Sequence, residues 1–131
     1  MQKPGNPTPW IKKAEQDYEA AVALSRKRKV PVPDVVCFHA QQCAEKYPKA
    51  FLVNHRVYFP KTHDSVQLLD LAVALEPSLA LLKPFLMALN PYAVMFRYPD
   101  EHATATESRR AIAYLQRVRD QLRRILSRCP Q

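Results

Sequence analysis

Apolar residues recur every three to four positions along most of this chain, the spacing that aligns side chains on one face of an α-helix. No stretch alternates apolar and polar residues at every second position, as a half-buried strand would. The first predicted helix ends in the basic run Arg26–Lys29, which suits a helix C-terminus, and the last runs from about Ala105 to Ser127. The apolar face of the first helix holds Trp10, Ala14, Tyr18, Ala21 and Leu24, and that of the last holds Ile112, Leu115, Val118, Leu122 and Ile125.

A second helix is predicted from about Asp34 to Val53, after the proline-containing connector Val30–Pro33. We expect Pro48 to kink this helix, because proline removes one backbone hydrogen bond. Its apolar stripe consists of Val36, Ala40, Cys43, Ala44, Tyr47 and Phe51.

A third helix begins near Thr62, the expected N-cap, and is followed by an apolar segment that prolines interrupt. Pro77, Pro84 and Pro91 can each occupy the first turn of a helix, so the segment is predicted to form short pieces rather than one rod. Short connections between amphipathic helices favour an all-α fold, an antiparallel up-and-down bundle of four to five helices.

The length of 131 residues is that of one domain, and we expect a single helical domain over residues 1–131 with a flexible segment over residues 1–9. The formal charge of +8 is concentrated at the two ends of the chain. Residues 1–29 hold seven basic and three acidic side chains, and residues 107–131 hold seven arginines and two carboxylates. An antiparallel bundle could bring these two segments side by side to form one basic face. A face of this kind attracts nucleic acid or an acidic protein, and the alternative explanation is an ordinary helix face exposed to solvent.

Several classes of protein are excluded by composition. Gly5 is the only glycine, so glycine-rich loops that bind phosphates or dinucleotides are absent. No apolar run approaches the ~20 residues of a membrane span, and no signal peptide precedes the first helix, so we expect a cytoplasmic protein. Of Cys37, His39 and Cys43, only the last two share a helix face, which predicts buried cysteines and no metal site.

The segment from Arg97 to His102 carries the clearest candidate chemistry. Arg97 is a permanent cation suited to binding phosphate. His102 follows it after four intervening residues and can carry a proton near neutral pH. Pro99 ends the preceding helix, while Thr104 and Glu107 form a capping-box pattern that begins the next. The alternative is that Arg97 merely ends a helix and that His102 is an ordinary loop residue.

Three sequence blocks together resemble the HEPN family, named for higher eukaryotes and prokaryotes nucleotide-binding. They are Cys37–Lys46 (Cys-Phe-His-Ala-Gln-Gln-Cys-Ala-Glu-Lys), Phe59–Asp64 (Phe-Pro-Lys-Thr-His-Asp) and Arg97–Asp100 (Arg-Tyr-Pro-Asp). Their order and spacing agree with the family from Trp10 to the last helix. The resemblance implies a helical bundle that is usually a homodimer.

Two functions are implied by the resemblance. One is binding of nucleotide or RNA as half of a two-component, toxin–antitoxin-like system with a small nucleotidyltransferase. The other is metal-independent endoribonuclease activity through an Arg-x4–6-His motif, which Arg97 and His102 match. Neither requires a cofactor. The candidate binding residues beside the motif are Gln41, Glu45, Tyr98 and Arg109.

In the nuclease, a base would take the proton of a ribose 2′-hydroxyl, which then attacks the adjacent phosphorus and releases a 5′-hydroxyl. His102 would be the acid or base, and Arg97 would stabilise the transition-state charge. Because one imidazole cannot be acid and base together, two facing subunits would supply the pair. The chain departs from the nuclease pattern at Tyr98, where a small polar or ionisable residue is typical, and this difference favours the binding function. The spacing of His102 and the basic segments at both ends of the chain favour the nuclease instead. It also has Thr104 where one toxin branch has a modified tyrosine.

Overall fold

The computed structural model describes residues 5–128, and within that range every regular element is helical. The all-α, single-domain prediction is confirmed. The described residues form five α-helices, and three 3₁₀ segments lie between the third helix and the fifth. The α-helices are α1 (Thr8–Ser25), α2 (Pro33–Asn54), α3 (Ser65–Val73), α4 (Lys83–Leu89) and α5 (Ala105–Arg128), and the 3₁₀ segments are Pro77–Leu82, Asn90–Ala93 and Met95–Arg97.

Helix α2 lies at the centre of the bundle. Fourteen of its 22 residues are buried, which is more than one face of a helix can supply, so neighbours pack around most of it. The helix continues through Pro48. Its largest buried apolar side chains, Tyr47, Phe51 and Leu52, belong to the same core as Leu115 and Leu122 of α5.

The direction of the helices brings three termini together. Helix α1 is antiparallel to α2, since Trp10 lies against Lys49 while Asp17 pairs with His39. Helix α5 runs parallel to α2. Asp34 contacts Ala103 just before α5, and Tyr47 contacts Arg123 twenty residues later. The end of α1 and the beginnings of α2 and α5 therefore share one end of the bundle.

Capping residues were predicted for the N-termini of α3 and α5. The Thr104–Glu107 capping box is confirmed, because each backbone amide donates to the other side chain at 3.0 Å. The prediction that Thr62 caps α3 was wrong. Asp64 is the N-cap, and its carboxylate accepts from the amides of Val66 and Gln67, whereas the Thr62 hydroxyl accepts from the amide of Asp64 itself.

Helix α1 begins inside the segment 1–9 that the sequence predicts to be flexible. Residues 1–4 of the expected flexible stretch lie outside the described residues. The amide of Gly5 donates to the carbonyl of Asn54 at 3.1 Å, and α1 begins at Thr8. A side chain at position 5 would place its Cβ 2.1 Å from the carbonyl oxygen of Val53, so this close approach of two backbones requires glycine.

The proline-interrupted segment Pro77–Arg97 is more apolar than predicted. By length and composition alone this 21-residue segment is apolar enough to cross a membrane, with a mean hydropathy that reaches 1.4 over 18 residues, although no such run was expected. Pro77, Pro84 and Pro91 each stand at the start of a short helix, as predicted. One side of the segment packs into the core through Leu79, Leu82, Leu86 and Leu89.

Candidate functional site

Asp34, in the first turn of α2, organises the end of the bundle where α5 begins. Its Oδ1 accepts a hydrogen bond from the buried Ala103 amide at 2.6 Å, and its Oδ2 lies 3.9 Å from Nδ1 of His102. The carboxylate thereby fixes the loop that carries the histidine. The imidazole itself stays open to solvent, with 73% of its side chain exposed.

A cavity of about 190 Å³ adjoins Asp34 between α2 and the two short helices before the loop. Phe38 forms part of one wall, and Tyr92 and Phe96, whose rings stack 5.4 Å apart, form part of the other. Burial raises the pKa of the Tyr92 phenol, with smaller contributions from nearby acidic groups, so this hydroxyl remains a neutral hydrogen-bond donor. The cavity is lined by Asp34, Val35, Phe38, Tyr92, Ala93, Val94, Phe96 and Arg97.

Arg97 stands at the rim of this cavity. Its side chain is exposed and forms no hydrogen bond or ion pair with any residue that the structure describes. Arg97 and His102 therefore have a common neighbour, since the Asp34 carboxylate both lines the cavity and contacts the imidazole. An anion entering here would meet a guanidinium with no competing carboxylate bound to it.

Tyr98 and Arg109, two other candidates from the sequence, lie outside the cavity wall. The Tyr98 side chain is 66% exposed and points away from the core. Arg109 is exposed on the first turns of α5, where its Nη2 donates to the Thr106 hydroxyl at 3.2 Å. Neither residue lines the cavity.

Gln41 and Glu45 occupy a different, buried network on α2. Both residues are at most 1% exposed. The Glu45 carboxylate accepts from the Gln41 amide at 3.1 Å and from Lys49 Nζ at 2.9 Å, and it lies 3.2 Å from Nδ1 of His63. Their polar atoms are thus occupied inside the chain, and neither residue lines the cavity beside Arg97.

Most residues that line the cavity were not predicted from the sequence. Asp34 and Phe38 are one helical turn apart and so share a face of α2, which was the available signal. Tyr92 and Phe96 show the same spacing within the proline-interrupted segment, for which we had predicted only short helical pieces. These four residues complete the set that the Arg97–His102 pattern began.

The cysteines near the site are buried, as predicted. Burial raises the pKa of the Cys37 thiol to about 12, and the carboxylates of Glu107 and Asp34 contribute to the increase. Burial also raises the pKa of Cys43 well above its usual value. Cys129 lies outside the described residues. Within residues 5–128, no three His, Cys, Asp or Glu side chains are grouped so that they could hold a metal ion.

A helical bundle with these motifs corresponds to a known family. A family model described as the HEPN domain matches residues 8–125, so the chain belongs to the HEPN family. Its structure is similar to the crystal structure of an archaeal HEPN homologue, with a TM-score of 0.66, 22% sequence identity, and coverage of 94% of this chain and 97% of that one. No curated protein matches the chain.

Membership places the protein among domains with functions related to nucleotides or RNA. Domains of this family often form dimers. The predicted family and fold are both confirmed.

Proposed function

We propose that this HEPN domain binds nucleotide or RNA at the cavity between α2 and the segment that ends at Arg97. The protein would act in the cytoplasm as one half of a two-component system with a small nucleotidyltransferase. The observation that carries the proposal is the unpaired, exposed guanidinium of Arg97 at the rim of an aromatic cavity. The guanidinium offers a fork of donors to a phosphate, and the rings offer a surface to a base.

The cavity walls suit a base better than they suit an aliphatic ligand. Phe38 is partly exposed at its mouth, and the stacked pair Tyr92 and Phe96 lies opposite. Stacking of one base on an aromatic side chain contributes about 1–3 kcal/mol and tolerates any base. A ligand held in this way would have its phosphate beside Arg97 and within reach of the His102 loop.

Calorimetric titration with adenosine and uridine monophosphates tests this site. We expect Arg97→Gln and Phe38→Ala each to weaken binding by about tenfold or more, because one removes the phosphate donor and the other a stacking surface. Lys12→Gln, at an exposed cation near the start of α1, is the matched control and should bind like the unaltered protein. Equal affinity for all four proteins would refute the proposed site.

Dimer formation through the same end of the molecule is part of the proposal. Large apolar side chains are exposed around the cavity mouth, an arrangement typical of a surface that pairs with another protein. Light scattering should therefore give the mass of a dimer, and Val94→Glu should yield a monomer, while Leu81→Glu on the other side of the segment should not. The exposed residues around the mouth are Val35, Phe38, Val94, Met95 and Tyr98.

The nucleotidyltransferase partner is tested separately. When both proteins are expressed together, purification of the tagged product of the neighbouring reading frame should also recover the untagged HEPN chain. A neighbour that is no nucleotidyltransferase, or one that does not copurify, removes this part of the proposal and leaves the binding site unaffected.

Metal-independent cleavage of RNA is the second candidate, favoured by the exposure of His102 and its position near Asp34. The Asp34 carboxylate lies 3.9 Å from Nδ1 and can orient the imidazole, which would act as the general acid that protonates the leaving 5′-oxygen. The imidazole of the facing subunit would accept the proton of the 2′-hydroxyl. Arg97 would contact the non-bridging oxygens as negative charge increases on them.

Cleavage and binding predict different results for one set of proteins. If the domain is a nuclease, purified protein in EDTA converts RNA to fragments ending in 2′,3′-cyclic phosphate, and His102→Ala abolishes this while binding persists. If the domain only binds, no fragments appear and His102→Ala changes affinity alone. Glu101→Ala, at the exposed residue before His102, is the control.

A further inference from the structure

The loop between α1 and α2 carries four consecutive cations, Arg26 to Lys29, and all four are exposed. Helix α1 ends at Ser25 and α2 begins at Pro33, so the loop lies at the end of the bundle that holds Asp34. Lys29 and Asp34 are five positions apart, which limits the distance between their backbones to about 18 Å. The basic run is therefore at the same end of the bundle as the cavity and within about 18 Å of Asp34, one of the residues that line it.

The loop has a defined path that one of its own lysines maintains. Lys27 Nζ donates to the carbonyl oxygens of Lys29 and Val30, each at 3.0 Å. Val30 has a φ of 51°, a left-handed conformation that is unusual for a β-branched residue. Lys27 is thus occupied in closing the turn, and the remaining three cations project from a fixed backbone.

Those three cations lack acidic partners among the described residues, unlike two arginines of α5. Arg119 and Arg123 both pair with the Glu15 carboxylate. Arg26, Arg28 and Lys29 make no ion pair within residues 5–128.

The carboxylates at this end of the bundle do not neutralise the loop. Asp34 and Glu107 accept hydrogen bonds from neutral backbone amides, so they keep their negative charges, but neither pairs with a loop cation. Asp100 and Glu101 are the exposed acidic residues there. These four carboxylates are outnumbered by six cations, the three of the loop together with Arg97, Arg109 and Arg110. The surface around the cavity is consequently positive.

We propose that Arg26, Arg28 and Lys29 form a site for the phosphate backbone of single-stranded RNA that continues from the Arg97 cavity. This inference rests on the proposed function and specifies its ligand as a strand of several nucleotides rather than a mononucleotide. One base is held in the cavity, and the adjoining phosphates extend across the loop. An unpaired row of cations suits a polyanion, because each phosphate contacted releases a condensed counterion.

Fluorescence anisotropy with a labelled 12-nucleotide 2′-O-methyl oligouridylate tests the loop, since the methyl group blocks any attack by the 2′-oxygen. We expect Arg28→Gln/Lys29→Gln to weaken binding at least tenfold at low salt. The slope of log K against log salt concentration should also decrease by about 0.7 for each lost phosphate contact. Lys12→Gln/Lys13→Gln removes the same charge from α1 and should stay within twofold of the unaltered protein.

The outcomes separate this inference from the proposed function. Loss of oligonucleotide affinity in the loop variant, with unchanged affinity for uridine monophosphate, supports the backbone site. Equal oligonucleotide affinity of the two double variants overturns it, and the loop would then serve another partner. Unchanged binding of both probes by Arg97→Gln refutes the cavity instead, whatever the loop variant does.

Discussion

The carboxylate of Asp34 binds the backbone amide of Ala103 across 69 residues of sequence, and through that bond α2 positions the loop of His102. Asp34→Ala leaves the buried amide without an acceptor, which should lower the free energy of unfolding by about 1–3 kcal/mol. Asp34→Asn keeps an oxygen for the amide but removes the charge near the imidazole. We expect Asn to retain most of the stability in urea denaturation, and equal losses in both variants would contradict this role.

Glu45 is expected to be a structural residue. Glu45→Ala leaves the buried ammonium of Lys49 without its carboxylate, a change that typically costs about 3–5 kcal/mol. Replacing both residues by methionine should cost much less, because no uncompensated charge then remains. Urea denaturation measures both, and Glu19→Ala on the exposed side of α1 should stay within about 0.5 kcal/mol of the unaltered protein. If Glu45→Ala weakens nucleotide binding without changing stability, the residue belongs to the ligand site instead.

Glu15 should make the protein sensitive to acid. The hydrogen bond from Arg119 lowers the pKa of this carboxyl below 4.5, with a further contribution from Tyr47, although partial burial opposes the shift. A lowered folded pKa adds stability that is present above 4.5 and is lost as the pH falls from 4.5 through the folded pKa. The difference in unfolding free energy between the unaltered protein and Glu15→Gln should therefore be constant near neutrality and should shrink in acid. A difference that is the same at pH 7 and pH 3, like that expected for the control Glu19→Gln, would disprove this linkage.

The thiols of Cys37 and Cys43 should be unreactive in the folded protein. Both side chains are fully buried, and a pKa of about 12 leaves almost no thiolate at Cys37 near neutral pH. In a Cys129→Ser background, a disulfide reagent at pH 8 should react at least about 100-fold more slowly with native than with urea-unfolded protein. Rapid labelling of the native state would show that α2 opens locally.

Local signals predicted the helices well. The capping box at Thr104 and the proline before Asp34 each lie beside the helix start that they determine. Helices α2 and α5 therefore begin within one residue of their predicted starts. The cap of α3 was missed because Thr62 and Asp64 are both good caps. A distant residue decides between them, since the Asn90 amide donates to the Asp64 carboxylate at 3.0 Å.

Only part of the candidate site could be predicted from the sequence, because its other residues are distant along the chain. Arg97 and His102 are close in the chain, whereas Asp34 meets them only after α2 and α5 have packed side by side. Gln41 and Glu45 border the apolar stripe of α2, and sequence alone cannot tell whether such polar residues face a ligand or another part of the chain. Lys49 and His63 decide this, by occupying the Glu45 carboxylate.

The parallel course of α2 and α5 has an electrostatic consequence. Each helix N-terminus carries the equivalent of about half a positive charge, and the C-terminus of α1 at the same end carries about half a negative charge. The two positive poles therefore outweigh the one negative pole. This contribution belongs to the backbone and does not titrate, so it attracts anions to that end of the molecule whichever side chains surround it.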